Sequence, residues 1–180
     1  MYIPFVITIL YFYTAVKKLN NTRGPTYEEL YIIVRNLLVT EILFWYTDWY
    51  AFSDIFTNAF SIINLVMFFI SQDIYFYGIH KILHFKYIFQ TVHYIHHGHY
   101  ATYNAWYAHI LDHILLNLLS IGVPFAVFPN TRWVFMLIAF LEVYTSVNGH
   151  SKNSKHYNHH INHKHRLGSI YIIDRLMGSY

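Results

Sequence analysis

Long uncharged stretches alternate with short polar segments along this chain. Residues 1–16, 55–72 and 113–131 carry no charged side chain, while 30–46 carries two and 133–147 carries one. A bilayer core about 30 Å thick is crossed by roughly 20 apolar residues of α-helix, and about 18 nearly uncharged residues already make a candidate span. The pattern therefore predicts an all-α, polytopic membrane helix bundle with four or five spans.

The composition agrees with a membrane protein and excludes several other classes. Of the 180 residues, 56% are hydrophobic and only 12% are charged, which is too apolar for an ordinary soluble domain. The chain has no cysteine, so neither a disulfide framework nor a thiolate metal site is available. No block of basic residues points to nucleic acid as a partner. Without a repeat or a linker, 1–180 is predicted to be a single domain.

Two features near the N-terminus refine this prediction. The first apolar stretch lacks the basic start and the small-residue cleavage site of a signal peptide, so we expect it to be retained. The sequence Pro-Thr-Tyr-Glu-Glu at 25–29 is typical of a helix start.

The basic residues lie mainly on one side of the predicted spans. Alternating spans place 17–29, 73–112 and 148–180 on the same side, and these segments hold ten of the twelve lysines and arginines. Cytoplasmic loops of membrane proteins are enriched in these residues, so this side is predicted to be cytosolic. We expect 73–112 and 148–180 to form a helical cap over the cytosolic ends of the spans.

All fourteen histidines lie between residues 80 and 165, and three clusters of them have helical spacing. Imidazoles at i, i+3 and i+4 project from one face of a helix, so each cluster is expected to aim its side chains at one site. The clusters are His80 and His84; His93, His96 and His97; and His156, His159 and His160.

These clusters suit a site for two metal ions. Neutral imidazole is the commonest metal ligand in proteins, and helix bundles build metal sites from inward-facing side chains. Eight imidazoles exceed the four ligands of one tetrahedral zinc ion. The Glu-x-x-His motif of soluble di-iron bundles is absent, so nitrogen ligands would dominate the site. His150, six residues before the third cluster, is expected to be a ninth ligand.

The remaining histidines have more ordinary interpretations. Gly98 is expected to end the second cluster's helix in the left-handed conformation, so that His99 points elsewhere. His113 is interpreted as an interface or loop residue. His109 is expected either to support a metal ligand or to line the pocket, since its neighbour Asp112 can hold it in a hydrogen bond. His163 and His165 lie in a basic run, for which a solvated or headgroup-facing role is expected.

Four carboxylates are candidates for supporting roles. A histidine that binds metal usually donates its second N–H to a carboxylate or a carbonyl, which makes Asp73, Asp112 and Asp174 candidate partners. Glu142 lies inside a predicted span, where an ionisable side chain is costly. It is either functional or part of a hydrogen bond between helices.

The succession His-x-x-x-His, His-x-x-His-His, His-x-x-His-His between apolar spans resembles the fatty acid hydroxylase/sterol desaturase superfamily. Flanking sequences agree over about 73–179: Asp-Ile-Tyr-Phe-Tyr-Gly-Ile at 73–79, Tyr-Ala-His-Ile-Leu-Asp at 107–112, Asn-Gly-His-Ser at 148–151 and Asp-Arg-Leu-Met-Gly-Ser at 174–179. Ile110 departs from the family, which has proline there. Asn-His-Lys-His at 162–165 stands in place of an asparagine-rich stretch.

The resemblance implies an oxidoreductase of lipid metabolism in the endoplasmic reticulum membrane. Such an enzyme uses O₂ to hydroxylate or desaturate a sterol or a fatty acyl chain at a centre of two iron ions. Zinc binds the same imidazole ligands and can occupy the site in a purified sample, although it has no redox chemistry. The sequence has no flavin, haem or nicotinamide motif, so an external b-type cytochrome or reductase is the implied electron donor.

Two alternatives to this enzyme remain open at the level of sequence. One is a non-redox, histidine-rich membrane protein that binds or transports metal. Transporters usually hold their ion near the bilayer midplane, whereas these clusters lie beyond the predicted spans. The other is a non-catalytic family member that binds a lipid or a partner, against which the intact histidine clusters argue.

Overall fold

The structure of this chain, a computed structural model, describes residues 10, 13, 25–46, 56–98, 105–151, 154–163 and 165–180. Across these ranges it contains seven helices and no strand, which confirms the all-α prediction. We number the helices α1 (Tyr27–Tyr46), α2 (Ile62–Leu83), α3 (86–97), α4 (Ile110–Val127), α5 (Arg132–Gly149), α6 (Lys155–Asn162) and α7 (Ile172–Leu176).

Local side chains define where the helices begin. The Thr26 hydroxyl accepts from the Glu29 backbone N–H, and the Glu29 carboxylate accepts from the Thr26 N–H, so the helix start expected at 25–29 is confirmed. The hydroxyls of Ser61, Thr131 and Ser154 cap α2, α5 and α6 in the same way, each accepting from a backbone N–H three residues later.

The long helices expose many large apolar side chains, while several polar side chains are buried. Large apolar side chains cover the outer faces of the long helices, with Ile63 71% and Trp133 77% exposed. Several histidines and carboxylates are buried, and Asp73 and His93 are completely so. Since extended apolar surface marks contact with a membrane or a partner, and α2 and α4 are long and apolar enough to cross a bilayer, these features support a membrane protein.

The structure does not confirm the predicted number of four or five membrane spans. Within the described residues only α2 and α4 combine the required length and apolarity. Helices α1 and α5 have 20 and 18 residues, but neither combines this length with sufficient apolarity. The predicted span at 1–16 lies outside the described residues, apart from Leu10 and Tyr13.

Helix α2 also corrects the predicted boundary between span and cap. It begins at Ile62 rather than at residue 55, and it continues past Asp73 to Leu83. The charge of Asp73 does not end the helix, because its carboxylate is buried and accepts backbone N–H groups from 170, 171 and 173. The first part of the predicted cap is therefore the last part of α2.

Two apolar clusters hold the long helices together. Phe68 of α2, Phe125 of α4 and Ile138 of α5 belong to one cluster. Ile33 of α1 and Val143 of α5 pack in a second cluster around Trp106. Helices α2 and α5 run toward the histidines and α4 runs away from them, so one end of the bundle collects the polar side chains.

Candidate metal centre

All nine histidines that the sequence analysis selected lie together at this end of the bundle. The candidate ligand atoms within each of two groups lie within 4.8 Å of one another, so each group could hold a metal ion. The five-histidine group consists of His80, His84, His93, His97 and His159. The four-histidine group consists of His96, His150, His156 and His160.

Two of the three clusters divide their histidines between the groups. His93 and His97 enter the five-histidine group, whereas His96 enters the four-histidine group. An α-helix turns by about 100° per residue, so the side chains of residues i and i+4 point in nearly the same direction. The side chain of residue i+3 points to the other side of residue i. The expectation that all three imidazoles of the second cluster aim at one point is therefore wrong.

The third cluster divides in the same manner on α6. His156 and His160 join the four-histidine group, and His159 joins the five-histidine group. His150 reaches the four-histidine group from the C-terminal cap of α5. Helices α3 and α6 thus each contribute to both groups, which brings the groups into contact: the rings of His97 and His160 stack with centroids 4.4 Å apart.

Hydrogen bonds at the Nδ1 atoms, which face away from the centre of the site, define the tautomers of several imidazoles. The Nδ1 atoms of His80, His159 and His150 each donate to a backbone carbonyl at 2.8 Å, on Leu167, His165 and Ser146, respectively. A carbonyl oxygen can only accept, so these Nδ1 atoms carry the proton. The Nε2 atoms then present lone pairs to the interior of the site.

These lone pairs face one another at short distances. The Nε2 atom of His80 lies 3.1 Å from those of His93 and His159. Facing lone pairs repel unless a cation lies between them. Imidazole nitrogens that share one ion at about 2.0–2.1 Å are separated by about 3.0–3.4 Å, so the arrangement fits a bound metal.

Burial keeps these imidazoles in the neutral form that binds metal. Removal from water, together with neighbouring histidines, lowers the pKa of His84 and His96 to about 3. The same two causes lower the pKa of His159 to about 2, and burial lowers the pKa of His150 to about 4. The pKa values of His97 and His160 are also lowered, again chiefly by burial. The site therefore offers uncharged ligands at neutral pH.

Asp112 supports the five-histidine group directly. Its carboxylate lies 2.7 Å from Nδ1 of the buried His93. A carboxylate in this position orients the ring and strengthens the opposite nitrogen as a ligand. The expected pairing of Asp112 with His109 is corrected, because the His109 ring accepts from the Leu111 backbone N–H and caps α4.

Asp73 and Asp174 act on the C-terminal loop rather than on an imidazole. The Asp174 carboxylate accepts from the backbone N–H groups of Leu167 and Gly168, and Asp73 accepts from those of residues 170, 171 and 173 on the other side. A Cβ on Gly168 would lie 2.6 Å from Asp73 and 2.8 Å from Asp174, so only glycine fits between them. The clamped loop presents the Leu167 carbonyl to His80.

A cavity of about 150 Å³ adjoins both groups. His96, His150 and His156 line it from the four-histidine group, but only His80 lines it from the five-histidine group. The other walls include the apolar side chains of Phe76, Leu116, Ile121 and Val143. A largely apolar space next to candidate metal ligands is suited to a hydrocarbon group.

The other histidines that the structure describes lie outside both groups. His113 connects α1 with α4, because its ring nitrogens lie 2.9 Å from the Thr40 hydroxyl and 2.9 Å from the Asn117 amide, in agreement with an interface role. His163 packs its exposed ring 4.6 Å from that of His97. His99 lies outside the described residues. Gly98 does follow the end of α3, although in the right-handed rather than the left-handed conformation.

Comparison with known proteins agrees with the motifs. The chain is 34% identical over 84 residues to a methylsterol monooxygenase of Arabidopsis thaliana and 33% identical over 92 residues to a very-long-chain aldehyde decarbonylase of Oryza sativa. Both relatives are enzymes of one superfamily. The resemblance to the fatty acid hydroxylase/sterol desaturase superfamily is confirmed.

The similarity to members of this superfamily covers only part of each chain. The two alignments cover 44% and 48% of this chain, and the chain spans about a third of the length of these relatives, 31% and 34%. A putative methylsterol monooxygenase of Dictyostelium discoideum is 28% identical over 167 residues, which are 83% of this chain and 61% of that protein. Neither a family model nor a solved structure matches the chain.

Proposed function

We propose that this chain forms the histidine-box domain of an oxidoreductase that uses O₂ to hydroxylate or desaturate a membrane lipid. Two iron ions would be bound, one by each histidine group. The proposed ligands are His80, His84, His93, His97 and His159 for one ion, and His96, His150, His156 and His160 for the other.

The observation that carries the proposal is the cavity next to the two groups. Unactivated C–H bonds resist attack by protein side chains, so a lipid oxidase needs a redox metal beside an apolar pocket. The cavity provides that pocket, since three imidazoles of the four-histidine group and one of the five-histidine group line it. The relatives named above, a sterol monooxygenase and an aldehyde decarbonylase, both act on lipids.

The residues of this chain have defined tasks in such an enzyme. Bound iron would supply the dioxygen and electron chemistry that the side chains lack. Asp112 and the carbonyls of Leu167 and His165 hold three imidazoles with their Nε2 lone pairs directed inward. Phe76, Leu116 and neighbouring apolar side chains exclude water and position the hydrocarbon next to His96 and His156.

The remaining elements of the proposal concern partners and location. Electrons would come from a b-type cytochrome or a reductase, and the substrate would be a sterol, a fatty acyl chain or a long-chain aldehyde that enters from the bilayer. The histidine end of the bundle would face the cytosol at the endoplasmic reticulum, in keeping with the basic residues of the flanking segments.

The test is expression in cells that provide a compatible electron-transfer chain, followed by profiling of sterols, acyl lipids and aldehydes under isotopically labelled dioxygen. We expect a lipid that gains labelled oxygen or loses hydrogen, together with two iron ions per chain by elemental analysis. His156→Ala should abolish the product and lower the metal content, whereas His109→Ala, outside both groups, should preserve both.

Other results would contradict the oxidase. An unchanged lipid profile from a protein that holds two iron ions and receives electrons would exclude oxidation of the lipids examined. Metal flux in reconstituted vesicles without lipid turnover would instead favour a transport protein.

A further inference from the structure

Three basic side chains surround one aromatic ring where the start of α6 meets the C-terminal segment 165–180. The Lys155 ammonium lies 4.4 Å from the centroid of the Tyr180 ring and donates to its hydroxyl. The guanidinium of Arg175 lies 4.7 Å from the same centroid, and that of Arg166 lies 5.9 Å from it. Within the part of the chain that the structure describes, none of the three forms an ion pair with a carboxylate. Together these four residues form the cation cluster.

The backbone fixes the position of Arg166, the least exposed cation of the cluster. This residue adopts the left-handed conformation with φ 66°, which is uncommon for a residue with a side chain, and its N–H donates to the Ser179 carbonyl at 2.8 Å. The carbonyls on either side, of His165 and Leu167, accept from imidazoles of the candidate metal centre. Its Nε–H is buried without an acceptor among the described residues. A fixed position and an unused donor both suit an anionic ligand.

Exposed apolar side chains lie close to the cation cluster in sequence. Leu176 is 77% and Met177 59% exposed, and Ile170 and Ile172 are exposed as well. Water accommodates the cations but not this apolar surface, and hydrocarbon accommodates the apolar surface but not the cations. Both kinds of side chain are accommodated where acyl chains meet lipid headgroups, as in segments that lie at a membrane surface.

The C-terminal segment packs against α2 at a level where the outer face of this candidate span changes character. The Asp73 carboxylate accepts from three backbone N–H groups of the segment, and the Ser179 hydroxyl lies 3.5 Å from the Tyr77 hydroxyl. Ile74 is exposed on α2, and Lys81, about two turns later, is the first charged side chain that this helix exposes. The segment thus lies near the end of the apolar surface, where a bilayer presents its phosphate groups.

We propose that the cation cluster binds the headgroup of an anionic phospholipid such as phosphatidylserine. The two guanidinium groups would donate hydrogen bonds to its phosphate, and the Lys155 ammonium would add a further charge contact. Phosphatidylcholine suits the cluster less well, because its choline ammonium would come close to three cations. The basic residues of the flanking segments predict that this end of the bundle faces the cytosol, and the cytoplasmic leaflet is the one that carries anionic lipids.

The test measures which phospholipid remains bound to the full chain. The protein in detergent micelles is mixed with equal amounts of phosphatidylserine and phosphatidylcholine that have the same acyl chains, and bound lipid is counted by native mass spectrometry. We expect phosphatidylserine to bind about ten-fold more tightly, because each basic residue near an anionic headgroup adds several-fold to the affinity. Combining Lys155→Gln with Arg175→Gln removes both exposed cations and should reduce this preference to about two-fold.

Two further variants control for total charge and for folding. Lys81→Gln combined with Lys86→Gln removes the same number of exposed cations from α2 and α3, outside the cluster, and should retain the preference. Arg175→Lys keeps the positive charge and should retain most of it. All variants are compared at equal metal content and equal elution volume, so that a misfolded protein is not mistaken for one that has lost the site.

Several results would overturn the lipid site. Equal retention of the two lipids by the unmodified protein would do so, and so would an equal loss of preference in the variant at Lys81 and Lys86. Complete displacement of phosphatidylserine by inorganic phosphate, beyond a chloride control of equal ionic strength, would assign the cluster to a free anion. Binding of poly-L-glutamate with equal retention of both lipids would instead identify a docking surface for an acidic protein. None of these measurements requires turnover, so the proposed oxidation of a lipid is tested separately.

Discussion

The two histidine groups have similar ligands but different surroundings. In the five-histidine group, three imidazoles are held from outside, by Asp112, Leu167 and His165. In the four-histidine group, His150 is held by the Ser146 carbonyl. The cavity shows the opposite asymmetry, because it meets three imidazoles of the four-histidine group and one of the five-histidine group.

This difference suggests a division of labour between two bound ions. A site with five ligands and several outer hydrogen bonds is rigid and has little room for a further ligand. A site with four ligands next to a cavity keeps a position at which a small molecule can bind, as metal sites that carry out chemistry generally do. We therefore expect substitutions in the two groups to have unequal effects, and the predictions below are ordered by the size of effect.

The largest effect is expected from removing a ligand, and the stacked rings of His97 and His160 offer a matched pair. His160→Ala leaves three imidazoles in its group, whereas His97→Ala leaves four. Residues that merely orient a ligand contribute about 10–100-fold to metal affinity, so loss of a ligand should cost at least about 100-fold. Chelator competition and metal analysis should show the greater loss for His160→Ala; a greater loss for His97→Ala would reverse the assignment of roles.

Acid should lower the folding stability of the metal-free protein through the histidines of both groups. In the folded protein without metal, burial lowers the pKa of His93 and His96 to about 3, whereas the unfolded chain titrates near 6.5. The unfolded chain therefore takes up protons first as the pH falls below about 6.5, and folding loses roughly 2 kcal/mol per such imidazole by pH 5. Thermal unfolding of the metal-free protein in detergent should show stability falling from pH 7 to pH 5, and a flat profile would contradict neutral, buried imidazoles.

A smaller and selective effect is expected from Asp174→Asn. The amide retains one acceptor oxygen, so one of the backbone N–H groups of Leu167 and Gly168 loses its partner and the carbonyl held against His80 shifts. We expect about a ten-fold loss of metal affinity in the five-histidine group alone. Cobalt(II) spectra recorded during stepwise loading would resolve the two groups, with Arg175→Ala as the neighbouring control. Equal weakening of both groups would mean that the loop supports the fold in general.

The smallest effect is expected at His99, which follows the helix end at Gly98. Only the three histidines before the glycine keep the spacing of the second cluster, so His99→Ala should change activity and metal content less than about two-fold. His96→Ala is the comparison, because it removes a residue of the four-histidine group. Equal sensitivity of the two variants in lipid turnover and metal analysis would extend the metal centre beyond Gly98.

Much of this protein followed from local patterns in the sequence. Apolar runs indicated α1, α2, α4 and α5, and the sequence Pro-Thr-Tyr-Glu-Glu at 25–29 indicated where α1 begins. Histidine spacing selected the nine residues that the structure brings together. These inferences succeed because hydrophobic periodicity, capping and the spacing of side chains on one helix depend on neighbours in the chain.

Other features required the tertiary structure, because they depend on residues distant in sequence. The split of His93 and His97 from His96 arises only when α2, α5 and α6 surround α3 and supply partners on two sides. The charge of Asp73 ends the uncharged run at residue 72, yet hydrogen bonds from a segment about 100 residues away stabilise its carboxylate inside the helix. Likewise, the sequence could place Glu142 in a span, but only packing of α5 against α2 brings it to Gln72. A local pattern determines which side chains are available, and the approach of distant helices decides what each one contacts.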